Sequence, residues 1–244
     1  MAYAAAAVLA GAAAQSATGF GFALVSGPVL FAVFEPEEAV TMLAALGIVL
    51  SVLVLADGKG QAAWRPLAPL LVAAIPGLGI GLLALAAFSK PVLQVAVGLA
   101  VVAAAVFQIR SGRAREGEAA PGPVAGGLVG LVSGALTTSL GVNGPPVALW
   151  LEARGSDPGE MRATLAASFL ALNLCGFAVL IAAHGPGDVA GPGRLLPLAA
   201  CVVAGHVAGA MAFRRLDPGT FRIAVLALVI AAGVASAVAG LLSL

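Results

Sequence analysis

Runs of about 20 apolar residues follow one another along almost the whole chain, and that repetition leaves few folds open. They cover residues 2–34, 39–56, 67–88, 92–109, 124–151, 161–183, 195–213 and 221–244, with charges and turn residues between them. Most are long enough, as helices, to cross a hydrocarbon layer of about 30 Å. Strands of a membrane barrel would alternate apolar with polar residues, and these runs do not. The composition fits the same medium: 61% hydrophobic, 9% charged and a mean hydropathy of +1.09, far from domains that fold in water. The expectation is an all-α polytopic integral membrane protein, with the lipid bilayer as its first partner.

Several function classes drop away on composition. A net charge of +1 offers no basic surface for nucleic acid. Cys175 and Cys201 fall inside apolar runs and read as packing residues. Clustered Asp, Glu, His or Cys ligands are missing from the sequence, so neither a metal site nor a cofactor is expected. The first Lys or Arg is Lys59, so the apolar N-terminus reads as a membrane segment rather than a signal peptide.

Near the middle, residues 110–123 (RSGRAREGEAAPGP) gather charge, Gly and Pro and read as a solvated loop. The expected organisation is a first membrane repeat over 1–110, an inter-repeat loop over 111–123 and a second membrane repeat over 124–244. A shift of 122 residues sets Gly19 on Gly141, Pro36 on Pro158, Glu38 on Glu160 and Leu43 on Leu165. With the register slipped, Arg65 meets Arg194, Gly77 and Gly81 meet Gly205 and Gly209, and Pro91 meets Pro218. Each half is expected to begin with a broken or re-entrant helix pair and to continue with three spanning helices. The inverted form of this repeat is the one that gathers most Lys and Arg on a single face, leaving Lys90 and Arg194 on the other.

The first run in each half is interrupted at matching places, QSATGFGF in the first and TTSLGVNG in the second. Residues 2–34, as one helix rising 1.5 Å per residue, would far exceed the hydrocarbon, so the run must tilt, break or fold back. Irregular backbone at membrane depth is tolerated only where protein or a water-filled cavity satisfies its polar groups. In the second break, Asn143 and Gly144 precede Pro145 and Pro146, which predicts a half-helix starting near Pro145 and running through Trp150. Its N-terminal end is suited to an anion. The candidate binding residues are therefore Gln15, Ser16, Thr18, Gly19 and Gly21 in the first break. In the second they are Thr137, Thr138, Ser139, Gly141, Asn143, Gly144 and Pro145. His206 and Asn173 are polar at membrane depth and Arg65 and Arg194 sit at matching helix ends; all four are candidates for coupling or gating, with packing and snorkelling as the plainer roles. Gly77, Gly79, Gly81, Gly205 and Gly209 read as helix-packing positions, and Thr164 and Ser168 as hydroxyls bonded to their own backbone carbonyls.

TGFGFALVSGP near the N-terminus and GVNGPPVALWL after the central loop, within a two-half organisation over nearly the full chain, resemble the sulfite exporter TauE/SafE family of membrane permeases. That resemblance implies export of sulfite, a small organosulfonate or a related anion across the bacterial cytoplasmic membrane. The expected partner is then a small anionic substrate, handled by a monomer or homodimer. The main competing class is an intramembrane hydrolase using Ser139 with His206, for which no Gly-x-Ser-Gly elbow is present. A transporter of another solute and a non-transporting membrane subunit would share the same apolar composition.

Overall fold

The computed structural model describes residues 1–57, 61–111, 121–185, 191–215 and 218–244, without the side chains of 107–111, 158, 192, 212–226 and 228. Most of the charged inter-repeat loop, and Lys59, lie outside the described residues. Ten helices occur among the described residues. The first five are α1 (Ala2–Thr18), α2 (Phe22–Val33), α3 (Pro36–Ala56), α4 (Trp64–Ala87) and α5 (Lys90–Ser111). The second five are α6 (Pro123–Leu140), α7 (Gly144–Ala153), α8 (Pro158–His184), α9 (Pro192–Arg215) and α10 (Pro218–Leu242). Each set begins with two short helices where the sequence has one interrupted run. Among the described residues, α3, α4, α6, α8 and α9 contain stretches long and apolar enough to cross a membrane.

Glycine makes the breaks. The backbone leaves α1 through Gly19 at φ 90° and enters α2 through Gly21 at φ 119°, and α6 ends on Gly141 at φ 69°. These are left-handed conformations that a side chain makes costly. Asn143 occupies the N-cap position of α7 without a side-chain cap bond, and Pro145 and Pro146 fall in the first turn. Both interrupted runs fold back: Ser26 Oγ donates to the Ala7 carbonyl at 3.1 Å, Gly11 lies against the Phe22 carbonyl, and Gly126 faces the Trp150 indole. Of tilting, breaking and folding back, the chain does the last two.

The hairpins pack on the opposite half. α4 runs alongside α6 in the same direction, with Gly77 against the Leu131 carbonyl and Gly81 against that of Ala135. α9 runs alongside α1 in the same direction, with Gly205 against the Leu9 carbonyl and Gly209 against that of Ala13. The two contacts repeat residue for residue. Gly79, expected to pack likewise, has nothing within 4 Å of its missing Cβ, because it points out of the bundle beside exposed Ile80. α3 and α8 pass each other antiparallel at the centre, where Gly47 meets Asn173 and Asp57 meets Arg162. α5 and α10 are also antiparallel, through Gly98 on Gly233 and Gly240 on Pro91. Thr164 departs from expectation, accepting the Ala63 amide at 3.0 Å, whereas Ser168 donates to the Leu165 carbonyl at 2.8 Å as expected.

Ion pairs mark the two ends of the bundle. At one end Arg194 Nη1 meets Glu38 Oε1 at 2.6 Å and Lys90 Nζ meets Glu35 Oε1 at 3.2 Å. At the other, Arg162 meets Asp57, and Arg154 stacks on Trp150 while donating to the Pro121 carbonyl at 3.0 Å. Arg65, in the first turn of α4 beside Thr164, and Arg194, in the first turn of α9 beside Glu38, therefore lie at opposite ends of the bundle. The Lys90 pair is open to water, so Lys90→Met should change stability by less than about 1 kcal/mol, read as the thermal unfolding midpoint in detergent.

Candidate functional site

Where the two hairpin tips approach the central α3/α8 pair, the bundle encloses a small polar cavity. Gln15 from α1, Asn143 at the start of α7 and Asn173 from α8 supply its amides. Phe22, Ala23, Leu43, Gly47, Gly141 and Phe169 form the walls. Its volume is about 10 Å³, room for about one water molecule and too little for an oxyanion in this conformation.

Local sequence chemistry explains each part. Phe22 and Ala23 are the first two residues of α2, and Asn143 is the N-cap of α7, so two helix N-termini meet the cavity from opposite halves. First-turn N–H groups have no partner within their own helix, and their dipoles favour negative charge. Pro145 and Pro146 remove two donors from α7, which leaves α2 the fuller set. Asn143 Nδ2 donates to Asn173 Oδ1 at 2.9 Å, and a Cβ at Gly47 would collide with the Asn173 amide. Gln15 is buried and makes no side-chain hydrogen bond among the described residues. The chamber thus combines amide donors and positive dipole ends without an ionised side chain in its lining.

Of the residues expected from the sequence, Gln15, Gly141, Asn143 and Asn173 line this cavity. The hydroxyls do not. Thr18 Oγ1 donates to the Ala14 and Phe20 carbonyls, Thr137 to Ser133, Thr138 to Leu78 and Ser139 to Ala135. Their protons are spent on backbone, which polar groups at membrane depth need. Gly19 and Gly21 shape the first turn rather than the lining; Gly144 packs on Phe169 and Pro145 opens α7. Phe22, Ala23 and Gly47 were missed. A helix start after the Gly-Phe-Gly of residues 19–21 was the available signal for the first two.

Ser16 and His206 belong to a separate cluster. Ser16 Oγ lies 2.8 Å from His206 Nδ1, His206 Nε2 is 3.5 Å from Asp57 Oδ1, and Arg162 Nη2 is 3.2 Å from Asp57 Oδ2. His206 is thus held by Ser16, while Ser139 bonds within its own helix, so the pair imagined for a hydrolase does not form. The sequence drew attention to neither Asp57 nor the role of Arg162, because the partners are 105 residues apart. Arg65 and Arg194 are exposed and remote from the cavity.

A multi-pass helical bundle with two folded-back hairpins presenting helix N-termini to one buried polar chamber has the architecture of a membrane transporter. The profile described as Sulfite exporter TauE/SafE matches residues 3–236, and the chain belongs to that family of membrane transporters. No curated protein and no solved structure matches the chain.

Proposed function

We propose that this protein exports a small oxyanion, sulfite or a small organosulfonate, across the bacterial cytoplasmic membrane by potential-driven alternating access. The observation that carries the reading is the chamber itself: helix N-termini from both halves and three amides converge on it without a carboxylate. Such a lining favours an anion of modest charge, and family membership narrows the class to sulfite-type anions.

The two halves act as inverted repeats. If both hairpins return to the face they leave, α3 to α5 and α8 to α10 cross alternately, and corresponding helices run in opposite senses. Lys59, Arg154 and Arg162 then share one face with the inter-repeat loop, leaving Lys90 and Arg194 opposite. That assignment makes the basic face cytoplasmic. The close helix pairs α1/α9 and α4/α6 join opposite halves and move as units around the central site. Because the enclosed volume holds about one water, an anion must enter through an opened form.

Energy for export is available without a coupling ion. Each negative charge leaving a negative interior gains about 2.3 kcal/mol per 100 mV, roughly a fiftyfold concentration ratio. Proteoliposomes with a K⁺/valinomycin potential should show sulfite flux that scales with voltage and exceeds that of sulfate and acetate. Flux of sulfite only on supply of trans-side protons would overturn the uniport mechanism, and flux of no anion would overturn the function.

A further inference from the structure

At the Ser16–His206–Asp57–Arg162 cluster the two halves differ in chemistry. Ser16 on α1 meets His206 on α9; at the matching place Thr138 on α6 meets the Leu78 carbonyl on α4 at 2.7 Å. One copy has an ordinary packing hydrogen bond. The other has an imidazole leading to a carboxylate and a guanidinium.

Arg162 is the member with unspent donor capacity. Its side chain is only 15% exposed, Nη2 meets Asp57, and Nε is buried without a hydrogen-bond partner. Its stem lies against the tip of the first hairpin, with Cα, Cβ and Cγ 3.6–3.7 Å from the position a Cβ on Gly19 would take. The Arg162 stem therefore packs on the tip of the hairpin whose α1 and α2 contribute Gln15, Phe22 and Ala23 to the chamber. An arginine binds an oxyanion through a fork of parallel N–H groups, and here the Nε side of the fork is vacant. A buried donor left unpaired calls for a partner.

We propose that Arg162 is a second anion-binding site, on the path from the basic face to the chamber, in which the Asp57 carboxylate stands in for the travelling oxyanion while the path is closed. This rests on the transport reading above. An arriving oxyanion engages Nε and displaces Asp57 from Nη2. Asp57 then retains His206, which already faces its other oxygen and is steadied by Ser16. A carboxylate with a second partner in place leaves an arginine more readily than one that would be stranded. Movement of the Arg162 stem in turn releases Gly19 and the hairpin tip.

The test is the initial rate of radiolabelled sulfite uptake into inverted membrane vesicles carrying the full chain, with the basic face outward, at fixed potential. Arg162→Lys keeps charge and stem but loses the fork, and should raise KM about tenfold with kcat within about threefold. Asp57→Asn removes the competing charge and should lower KM about threefold or more. A purely structural ion pair predicts instead that both variants lose folded protein, or lose kcat at unchanged KM, and either result overturns the proposal. Sulfite-dependent stabilisation of the purified proteins against heat gives a binding readout independent of turnover; equal sulfite midpoints in the wild type and Arg162→Lys would overturn it too. Absence of flux in the wild type would remove the transport reading itself.

Discussion

Asn143→Leu should reduce sulfite flux by about 10- to 100-fold while leaving a folded, monodisperse protein. Leucine replaces the four heavy atoms of the amide side chain by four carbons of similar shape, so the walls around it need not move. What disappears is polar chemistry: a donor beside the α7 N-terminus and the 2.9 Å bond that orients Asn173. A hydrogen bond to a charged ligand contributes about 1.5–3 kcal/mol, which gives that range of flux. The Asn173 oxygen also loses its partner in a buried site, costing about 1–3 kcal/mol and a few degrees of thermal midpoint. Normal sulfite flux in a well-folded Asn143→Leu protein would remove the chamber from the transport path.

Gly81→Val should prevent assembly of the bundle. Any Cβ at Gly81 would run into the Ala135 carbonyl and Thr138 Oγ1, so α4 and α6 must separate along a face that joins the two halves. Forced separation of a close-packed helix pair costs about 3 kcal/mol or more, enough to deplete the folded protein recovered from membranes. Gly209→Val should do the same through the Ala13 carbonyl at the matching contact between α9 and α1. Gly79→Val, on the face of α4 that points out of the bundle, should be recovered at close to wild-type yield. The three can be compared by size-exclusion profile after detergent extraction. Equal recovery of all three would mean that α4 and α6 do not pack through these glycines.

Legibility of the site divided along a physical line. Gln15, Asn143 and Asn173 stood out because an amide within an apolar run is unusual enough to need an explanation. Thr137, Thr138 and Ser139 stood out for the same reason and were misplaced as donors: a hydroxyl on a helix can turn back to a carbonyl one turn away, and no neighbour in sequence says whether it does. Gly47 was invisible because its value lies only in the space it leaves for Asn173.

Sequence alone determined the medium, the all-helical class and the positions of both breaks. Each is a local consequence of apolar run length, of glycine entering left-handed backbone, and of proline at a helix start. It also pointed to the pairing of Gly77 and Gly81 with Gly205 and Gly209, through spacing that recurs in the two halves. Tertiary structure decided that the interrupted runs fold back, that each hairpin packs on a helix of the other half, and that Asp57 rather than a neighbouring acid pairs with Arg162. Those outcomes depend on contacts between residues well apart in sequence, 19 positions for Ser26 with Ala7 and 105 for Asp57 with Arg162. Backbone approach across such separations is set by how whole helices pack, which neither periodicity nor composition encodes at any one position.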